Sequence, residues 1–245
     1  MANNECSGPA LSVAIAKFIK EKPRYYTYRF IYIPETIGSI TYLSRNLEVL
    51  KKNTVAGFVL SCVGDNRDYS YVQTRYGNTI TDKLLDNTLK HLVPSHKAYS
   101  FYHRGSDERQ FNAPGVDLPV CSVSRTKYGA YPEYHTSKDD LNLISPEGFA
   151  GEYEVMTKSL LVLENNFKYR INVFCEPQLG KRGLYPTISQ KGSYSSIIAL
   201  RDFIAYADGT NTLLDISELI NIPAYELISI KDKLFENKLI DIVNE

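Results

Sequence analysis

The sequence predicts an α/β fold with a mostly parallel sheet, followed by a small winged-helix domain. Up to Asn166, apolar stretches typical of strands alternate with amphipathic stretches typical of helices, which is the pattern of a parallel sheet with helical crossovers. Some strand-like stretches are apolar on both faces, as expected for strands that are covered on both sides. Beyond Asn166 the pattern changes to a strand, a loop with several Pro and Gly residues, three helices and a short final strand.

The first elements follow from the spacing of apolar residues. Leu11 to Lys20 places its apolar side chains on one stripe and predicts a helix that ends before Pro23. Segment 28–36, with the sequence YRFIYIPET, has apolar side chains on both faces and predicts a buried central strand. The other predicted elements of this part are helices over 37–53, 79–93 and 145–166, strands over 55–65 and 117–125, and a strand leading into a polar loop over 98–111.

The C-terminal pattern predicts a separate domain. A strand that starts at Lys168 leads into the loop with Pro and Gly, and the three helices and the final strand follow it. This order is the outline of a winged helix, so we place an α/β domain at residues 1–189 and a winged-helix domain at residues 190–245. The helices are predicted over 193–209, 213–221 and the first part of 223–243.

The candidate recognition helix of this domain lacks the basic face of a DNA reader. Its lysines are balanced by acidic residues: Lys231, Lys233 and Lys238 against Glu226, Asp232 and Glu236. A helix that reads DNA normally presents Lys and Arg to the phosphates. We therefore expect the winged helix to pack or to dimerise, which would make the chain a homo-oligomer, and we keep DNA binding as an alternative.

The composition argues against several classes of protein. Lys plus Arg and Asp plus Glu each number 28, so the chain lacks the positive field that attracts nucleic acid or anionic lipid. No apolar run approaches the roughly 18 residues that cross a bilayer, and no signal-peptide pattern opens the chain. The four cysteines lie far apart, without the spacing of a disulfide framework or a zinc knuckle. We expect a soluble, cytoplasmic protein that binds neither nucleic acid nor membrane.

Three polar side chains are candidates for a site at the sheet edge. In a covered parallel sheet, functional side chains gather beyond the carboxyl ends of the strands. Glu5 precedes the first helix, Glu35 ends the predicted strand over 28–36, and His135 lies in a tyrosine-rich loop. Two carboxylates and an imidazole suit zinc, and a carboxylate beside a zinc-bound water can act as general base. Glu35 is therefore the candidate catalytic residue, and Glu5 and His135 are the candidate metal ligands.

Each candidate also has a structural interpretation. Glu5 could only stabilise the N-terminus of the first helix, and His135 could be a hydrogen-bonded surface histidine. A functional role fits Glu35 better, because an unpaired carboxylate beside a buried strand is costly. The run SDERQF could be a solvated surface, or Asp107 and Arg109 could bind the charged ends of a substrate, since Arg binds carboxylates in bidentate fashion.

Several stretches, taken in order, resemble one family. They are ANNECSGPAL, FIYIPETIGSI, GFVLSCVGD, GSDERQFNAPGVDLPV, YHTSKDDLNLI and EPQLGKRGLYPTIS. With the winged helix they are similar to the aminopeptidase-like zinc exopeptidases of bacterial polysaccharide-biosynthesis loci, and the resemblance covers essentially the whole chain. It implies the three-layer α/β sandwich of zinc aminopeptidases and hydrolysis of an amide bond in a small peptide, aminoacyl or modified-sugar substrate.

Some positions depart from the pattern of typical aminopeptidases of this fold. Where those enzymes have an aspartate that bridges two zinc ions, this chain has Asn4, with Glu5 beside it. Glu35 follows Pro34 where they have two glutamates, so it could match either the general base or the neighbouring ligand. Cys62 stands where an aspartate ends the next strand, and His135 matches the late histidine. A neutral asparagine is a poor bridge between dications, so one zinc or none is implied.

The resemblance also implies that an upstream strand and a metal ligand in a Cys-His-Pro motif are missing from the chain, which would impair activity. Two functions stay open on the sequence besides DNA binding. One is a zinc-dependent amide hydrolase, which predicts zinc at His135 and loss of hydrolysis in Glu35→Gln. The other is a non-catalytic protein that keeps the fold for binding, which predicts a zinc-free protein where the same change alters stability alone.

Overall fold

The computed structural model describes residues 1–184 and 193–243. The chain forms two compact units, Met1–Ser159 and Leu160–Glu245. The predicted domain boundary after residue 189 lies outside the described residues. Within the described part of the chain, no helix is long and apolar enough to cross a bilayer.

The first unit combines five helices with four strands over the described residues, and the last helix runs on into the second unit. The chain opens with a π-helical turn at Ala2–Cys6. The helices are α1 (Ser7–Lys20), α2 (Ile37–Asn53), α3 (Ile80–Leu92), α4 (Glu108–Phe111) and α5 (Pro146–Glu164). The strands are β1 (Gly57–Leu60), β2 (Ser70–Val72), β3 (Lys97–Tyr99) and β4 (Val120–Ser124).

The strands form one sheet in the order β1-β4-β2-β3. β1 runs parallel to β4, with Phe58 opposite Cys121, and β2 runs parallel to β3. β2 and β4 are antiparallel, with Tyr71 opposite Val123. Two of the three pairings are parallel, so the predicted mostly parallel sheet is confirmed. Since β1 and β4 are parallel, their carboxyl ends meet at one edge, and the residues that follow them build the site described below.

The amphipathic helices form where the apolar spacing predicts them. α2 has the predicted bounds, and α5 begins as predicted, with Pro146 in the first position and the Ser145 hydroxyl accepting the N–H of Gly148 at 3.0 Å. α1 starts earlier than predicted, at Ser7, and crosses the end of β1. A side chain at Gly8 would collide with the Leu60 carbonyl oxygen, so this crossing requires glycine.

The prediction of a central strand over 28–36 is wrong. The segment has no regular secondary structure before α2, and its apolar side chains are exposed, Tyr32 to 60%. β1 is the edge strand on this side of the described sheet and pairs with β4. Alternating apolar side chains show that a segment can lie in a sheet, but a strand also needs a neighbour for its backbone. No described strand pairs with residues 28–36.

The region between β3 and β4 also differs from the prediction. The predicted strand and loop over 98–111 contains only the end of β3, and a 3-10 turn at Phe101–His103 and helix α4 follow it. Glu108, in the run predicted to be either a solvated surface or a substrate-binding segment, is fully buried. β2 was not predicted, because three residues are too short to show a period.

The second unit is built from three strands and three helices over the described residues. The strands are β5 (Lys168–Ile171), β6 (Asp208–Thr212) and β7 (Ile240–Ile242), with β5 in the middle and antiparallel to both neighbours. The helices are α6 (Ser193–Tyr206), α7 (Leu213–Ile220) and α8 (Ala224–Glu236). The fully buried core side chains include Tyr169, Phe203, Leu213, Leu227 and Leu234. This order of elements agrees with the predicted winged helix, although the start of β6 replaces the end of the first predicted helix.

Candidate functional site

The loop before α1 is fixed against the end of β1 by two asparagines. Asn3 accepts the backbone N–H groups of Gly64 at 2.8 Å and Asp65 at 3.2 Å, and its own amide donates to the Asp65 carboxylate at 3.0 Å. The Asn4 amide donates to the carboxylate of Glu5 at 3.0 Å. The backbone of this loop is therefore held rigidly, while Glu5 itself remains exposed.

Asp139 fixes the same loop from the other side. Its two carboxylate oxygens accept the backbone N–H groups of Asn3 at 2.7 Å and Asn4 at 3.1 Å. Burial alone would raise the pKa of this carboxyl, but these N–H groups outweigh it and the pKa is lowered. Asp139 could not be singled out from the sequence, because its role depends on the backbone conformation of a segment more than a hundred residues away.

Cys62, directly after β1, is a buried thiol in a strained position. Its φ of 58° is unusual for a residue with a side chain. The sulfur lies 3.5 Å from the amide oxygen of Asn4 and 3.4 Å from the hydroxyl of Tyr131. Burial raises the pKa of Cys62 to about 11, so the group is a neutral thiol at physiological pH. The thiol would have to lose this proton on binding zinc.

Glu35 is positioned through its neighbour, Thr36. Asp107 accepts the backbone N–H of Thr36 and the hydroxyl of Ser39, both at 2.8 Å, and Arg109 donates to the Thr36 hydroxyl at 2.6 Å. These contacts hold Thr36 at a φ of 64°, which a β-branched residue rarely adopts. Asp107 and Arg109 thus hold the start of α2, and their predicted contact with a substrate stays a prediction.

The carboxylates of Glu5 and Glu35 are close enough to affect each other. The pKa of Glu35 is raised, first by partial loss of water around the carboxyl and then by the negative charges of Asp107 and Glu5, whereas Arg109 opposes the rise. Tyr134 is in the same environment, since the pKa of its hydroxyl is raised by burial and also by Cys62, Glu35 and Glu5. Glu5 and Glu35 therefore lie within electrostatic range of each other and of the Tyr134 hydroxyl.

His135 lies beside Tyr134 but is turned to solvent. The side chain is exposed, and its ring stacks on Tyr134 with 4.0 Å between ring centroids. Its φ of 57° makes it the third non-glycine residue, with Thr36 and Cys62, to adopt a strained backbone in the segments around this site. Such strain is concentrated at functional sites in proteins.

Glu108 is the functional candidate that the sequence reasoning did not identify. One carboxylate oxygen accepts the N–H groups of Gly105 at 2.8 Å and Ser106 at 3.2 Å and the hydroxyl of Tyr128 at 2.6 Å. The other oxygen is buried without a hydrogen-bond partner in the described residues. The charge of Glu108 also raises the pKa of Glu35. The nearby run of tyrosines, YGAYPEYH, was the available signal, because buried tyrosine hydroxyls need polar partners.

Zinc is the metal that the fold implies, and the donor groups of this site do not fit it well. Among residues 1–184 and 193–243, no group of three or more His, Cys, Asp or Glu side chains is arranged to hold a metal. Asn4 is neutral and its amide nitrogen donates to Glu5, and Cys62 would have to lose its proton before it could bind zinc. The predicted roles of Glu5 and His135 as zinc ligands stay predictions.

Comparison with known proteins identifies the fold. A relative from Clostridium acetobutylicum, whose name includes "polysaccharide biosynthesis protein with aminopeptidase-like domain", is 39% identical over 99% of this chain. A crystal structure from the same organism, whose name includes the word peptidase, matches with a TM-score of 0.89 and 38% identity over 99% of this chain. This chain spans about half of each, 56% and 55% of their lengths.

Zinc aminopeptidases share the fold of the first part of the chain. A zinc aminopeptidase from Bacillus subtilis matches over 66% of this chain and 42% of its own, with a TM-score of 0.55 and 20% identity. An aminopeptidase from Aneurinibacillus matches over 66% of this chain and 39% of its own, with a TM-score of 0.51 and 21% identity. The predicted aminopeptidase-like fold is confirmed.

The family assignments follow the two parts of the chain. Residues 168–242 match the winged helix-turn-helix family, which confirms that the chain carries the predicted winged helix. Residues 1–166 match the family described as "Domain of unknown function (DUF4910)". With the aminopeptidase-like fold and the full-length relative, these matches place the chain in the DUF4910 family, in a form that carries a C-terminal winged helix.

Proposed function

We propose that this chain binds the amino end of a short peptide or of an aminoacyl-type molecule beside Tyr134. The observation that carries the proposal is that the charge of Glu5 contributes to the raised pKa of Glu35, so two exposed carboxylates lie within electrostatic range of each other. An ammonium group placed between them would relieve their repulsion. The buried, unpartnered oxygen of Glu108 adds to the negative potential there.

Binding of an amino group also agrees with the fold. The structural relatives include aminopeptidases, and those enzymes act at the amino ends of peptides. The conserved geometry of a fold does not transfer an activity, so the proposal depends on the carboxylates of this chain. A protein of this kind keeps the aminopeptidase-like fold as a binding module.

Hydrolysis of an amide bond, with Glu35 as general base, is the second candidate. The raised pKa of the Glu35 carboxyl favours it, because a general base works best when its pKa approaches the working pH. The donor chemistry of Asn4 and Cys62 makes this the weaker candidate.

We do not propose DNA binding by the winged helix. The exposed face of α8 carries Glu226, Ser229, Asp232, Lys233 and Glu236, so acidic side chains outnumber Lys233 on it. Lys231 faces elsewhere and donates to the side chain of Asn165 at 2.7 Å. Phosphates would meet net negative charge on this face. A role in packing or dimerisation fits it better.

Affinity measurements with leucinamide and N-acetyl-leucinamide test the proposal. We expect acetylation to weaken binding about tenfold, because it removes the ammonium charge that Glu5 and Glu35 attract. Glu35→Gln should remove most of this difference. Glu48→Gln, an exposed glutamate on α2, is the matched control and should bind like the parent chain.

Equal affinity for the two ligands would contradict the binding proposal. Hydrolysis of leucine p-nitroanilide, measured with and without added zinc, separates the second candidate. We expect no zinc-dependent turnover above that of Glu35→Gln. Turnover that needs zinc and disappears in Glu35→Gln would establish the hydrolase instead.

A further inference from the structure

Lys127 is a half-buried lysine at the same sheet edge whose charge is not used by the contacts described so far. It lies three residues beyond the end of β4, beside Cys62 and Glu108, both of which raise its pKa. Burial nevertheless lowers the pKa overall. Within residues 1–184 and 193–243, no carboxylate lies within ion-pair distance of its ammonium group, which donates to the carbonyl oxygen of Tyr128 at 3.2 Å.

The surroundings of Lys127 connect it to the proposed amino-group site. Its ammonium lies 3.9 Å from the ring centroid of Tyr128 and 5.6 Å from that of Tyr99. These two rings belong to one cluster around Cys62, together with Tyr131 and Tyr134. The Cys62 sulfur in this cluster lies 3.5 Å from the amide oxygen of Asn4, whose side chain donates to Glu5 at 3.0 Å. The charges of Glu35 and Glu5 also raise the pKa of the Tyr134 hydroxyl. The tyrosine cluster thus lies next to the Lys127 ammonium group and within electrostatic range of both carboxylates.

We propose that Lys127 binds the carboxylate of the same ligand whose amino group interacts with Glu5 and Glu35, so that the ligand is a short peptide with both ends free. This inference rests on the proposed function. The ring faces of Tyr99 and Tyr128 partly replace the water around the Lys127 ammonium group. The N–H groups of this ammonium that do not bind Tyr128 can donate hydrogen bonds to a ligand. A charged pair in such a half-buried place is screened less than one in open water.

Arg109 is another cation near the site, and it is less suited to this task. Its guanidinium already donates to Thr36, and it lies beside the charges of Glu35 and its own sequence neighbours Asp107 and Glu108. A carboxylate placed there would meet three like charges. Near Lys127, Glu108 is the carboxylate that affects the lysine's pKa, and one of its oxygens already accepts from Gly105, Ser106 and Tyr128.

The test compares peptides that differ at one end only. The probes are Leu-Gly, Leu-Gly-Gly and Leu-Gly-Gly-Gly, each with a free end, with a C-terminal amide and with an N-acetyl group. For at least one length, we expect amidation to weaken binding about tenfold, since a hydrogen bond between charged groups is lost. In Lys127→Met that preference for the free carboxylate should disappear. Lys138→Met, an exposed lysine in the following loop, should keep it.

The outcomes separate this inference from the proposed function. If acetylation weakens binding but amidation has no effect at any length, the amino-group site stands and the role of Lys127 is wrong. If neither change matters, or no peptide binds, both proposals are wrong. A preference that persists in Lys127→Met also overturns the inference. Should Lys127→Met fail to fold, the comparison of peptides on the parent chain decides, and Lys127→Arg, which keeps the charge, is expected to keep the preference.

Discussion

The two units of the chain bury polar groups in different ways. Among the described residues, every buried charged side chain lies in the first unit: Asp65, Asp82, Glu108, Arg125, Asp139 and Glu152. In the described part of the second unit, the buried polar side chain is Ser217, whose hydroxyl donates to a backbone carbonyl. The second unit is stabilised as its apolar pattern predicts. In the first unit, charged side chains are buried at a cost in desolvation free energy, which is typical of functional sites.

One motif that occurs in both units shows the difference. Thr79 with Asp82 caps α3, and Thr212 with Asp215 caps α7, in the same reciprocal capping box. Asp215 is half-buried and bonds only to Thr212 in the contacts described. Asp82 is buried, and it also accepts the backbone N–H of Thr74 at 2.8 Å and the thiol of Cys121 at 3.2 Å. The same sequence signal thus has a local role in one unit and joins three segments in the other.

The largest expected effect concerns Glu152, a fully buried glutamate on α5 within the first unit. One of its carboxylate oxygens has no hydrogen-bond partner in the described residues. Burial raises its pKa to about 8, Arg125 opposes the rise, and Asp65 adds to it. Folding is therefore favoured by binding of the proton to Glu152, and this contribution to stability is fully present below pH 4.5, where the unfolded chain also carries the proton. This stabilisation is lost as the pH rises towards about 8, and the loss is on the order of 4 kcal/mol.

Glu152→Gln breaks this pH dependence if the account is right. The neutral amide resembles the protonated acid, so the variant should lose much less stability between pH 5 and pH 9 than the parent chain. Urea unfolding at several pH values measures it. Glu154→Gln, an exposed glutamate paired with Lys158 on the same helix, is the control and should follow the parent chain. Equal slopes for all three proteins would show that Glu152 is not buried in the protonated form.

The next effect in size compares the two capping boxes directly. Asp82→Ala should destabilise the first unit by about 3 kcal/mol, because it leaves several buried donors without an acceptor. Asp215→Ala should cost the second unit only about 1 kcal/mol, as expected for loss of a helix cap. Hydrogen exchange of amides in α3 and α7 reports each unit separately. Similar losses of unfolding free energy in Asp82→Ala and Asp215→Ala would contradict the proposed difference between the units.

The parts of the fold that the sequence predicts are those that depend on local periodicity. α2, α3 and α5 lie close to their predicted bounds, since a run of amphipathic turns also specifies the core-facing side. The segment over 28–36 has the pattern of a strand and is not one. A strand forms only where a second strand lies beside it, and the apolar pattern of one segment does not show whether such a partner is present.

The candidate site shows the same limit. The sequence identified Glu5, Glu35 and His135, and the structure brings the first two into electrostatic range with His135 at the border. Glu108 and Lys127 escaped notice, because their importance comes from burial and from neighbours supplied by other loops. A charged residue in a polar run looks solvated until the backbone groups that bind it are known.

Titration of the Glu35 carboxyl, followed through its carbon chemical shift by NMR, tests the central claim most directly. In the free chain the account predicts a midpoint above 4.5, since partial burial and then the charges of Asp107 and Glu5 disfavour the charged form. Leucinamide should lower that midpoint, because its ammonium group stabilises the carboxylate, and N-acetyl-leucinamide should leave it unchanged. A midpoint at or below 4.5 in the free chain, or the same response to both ligands, would contradict the account.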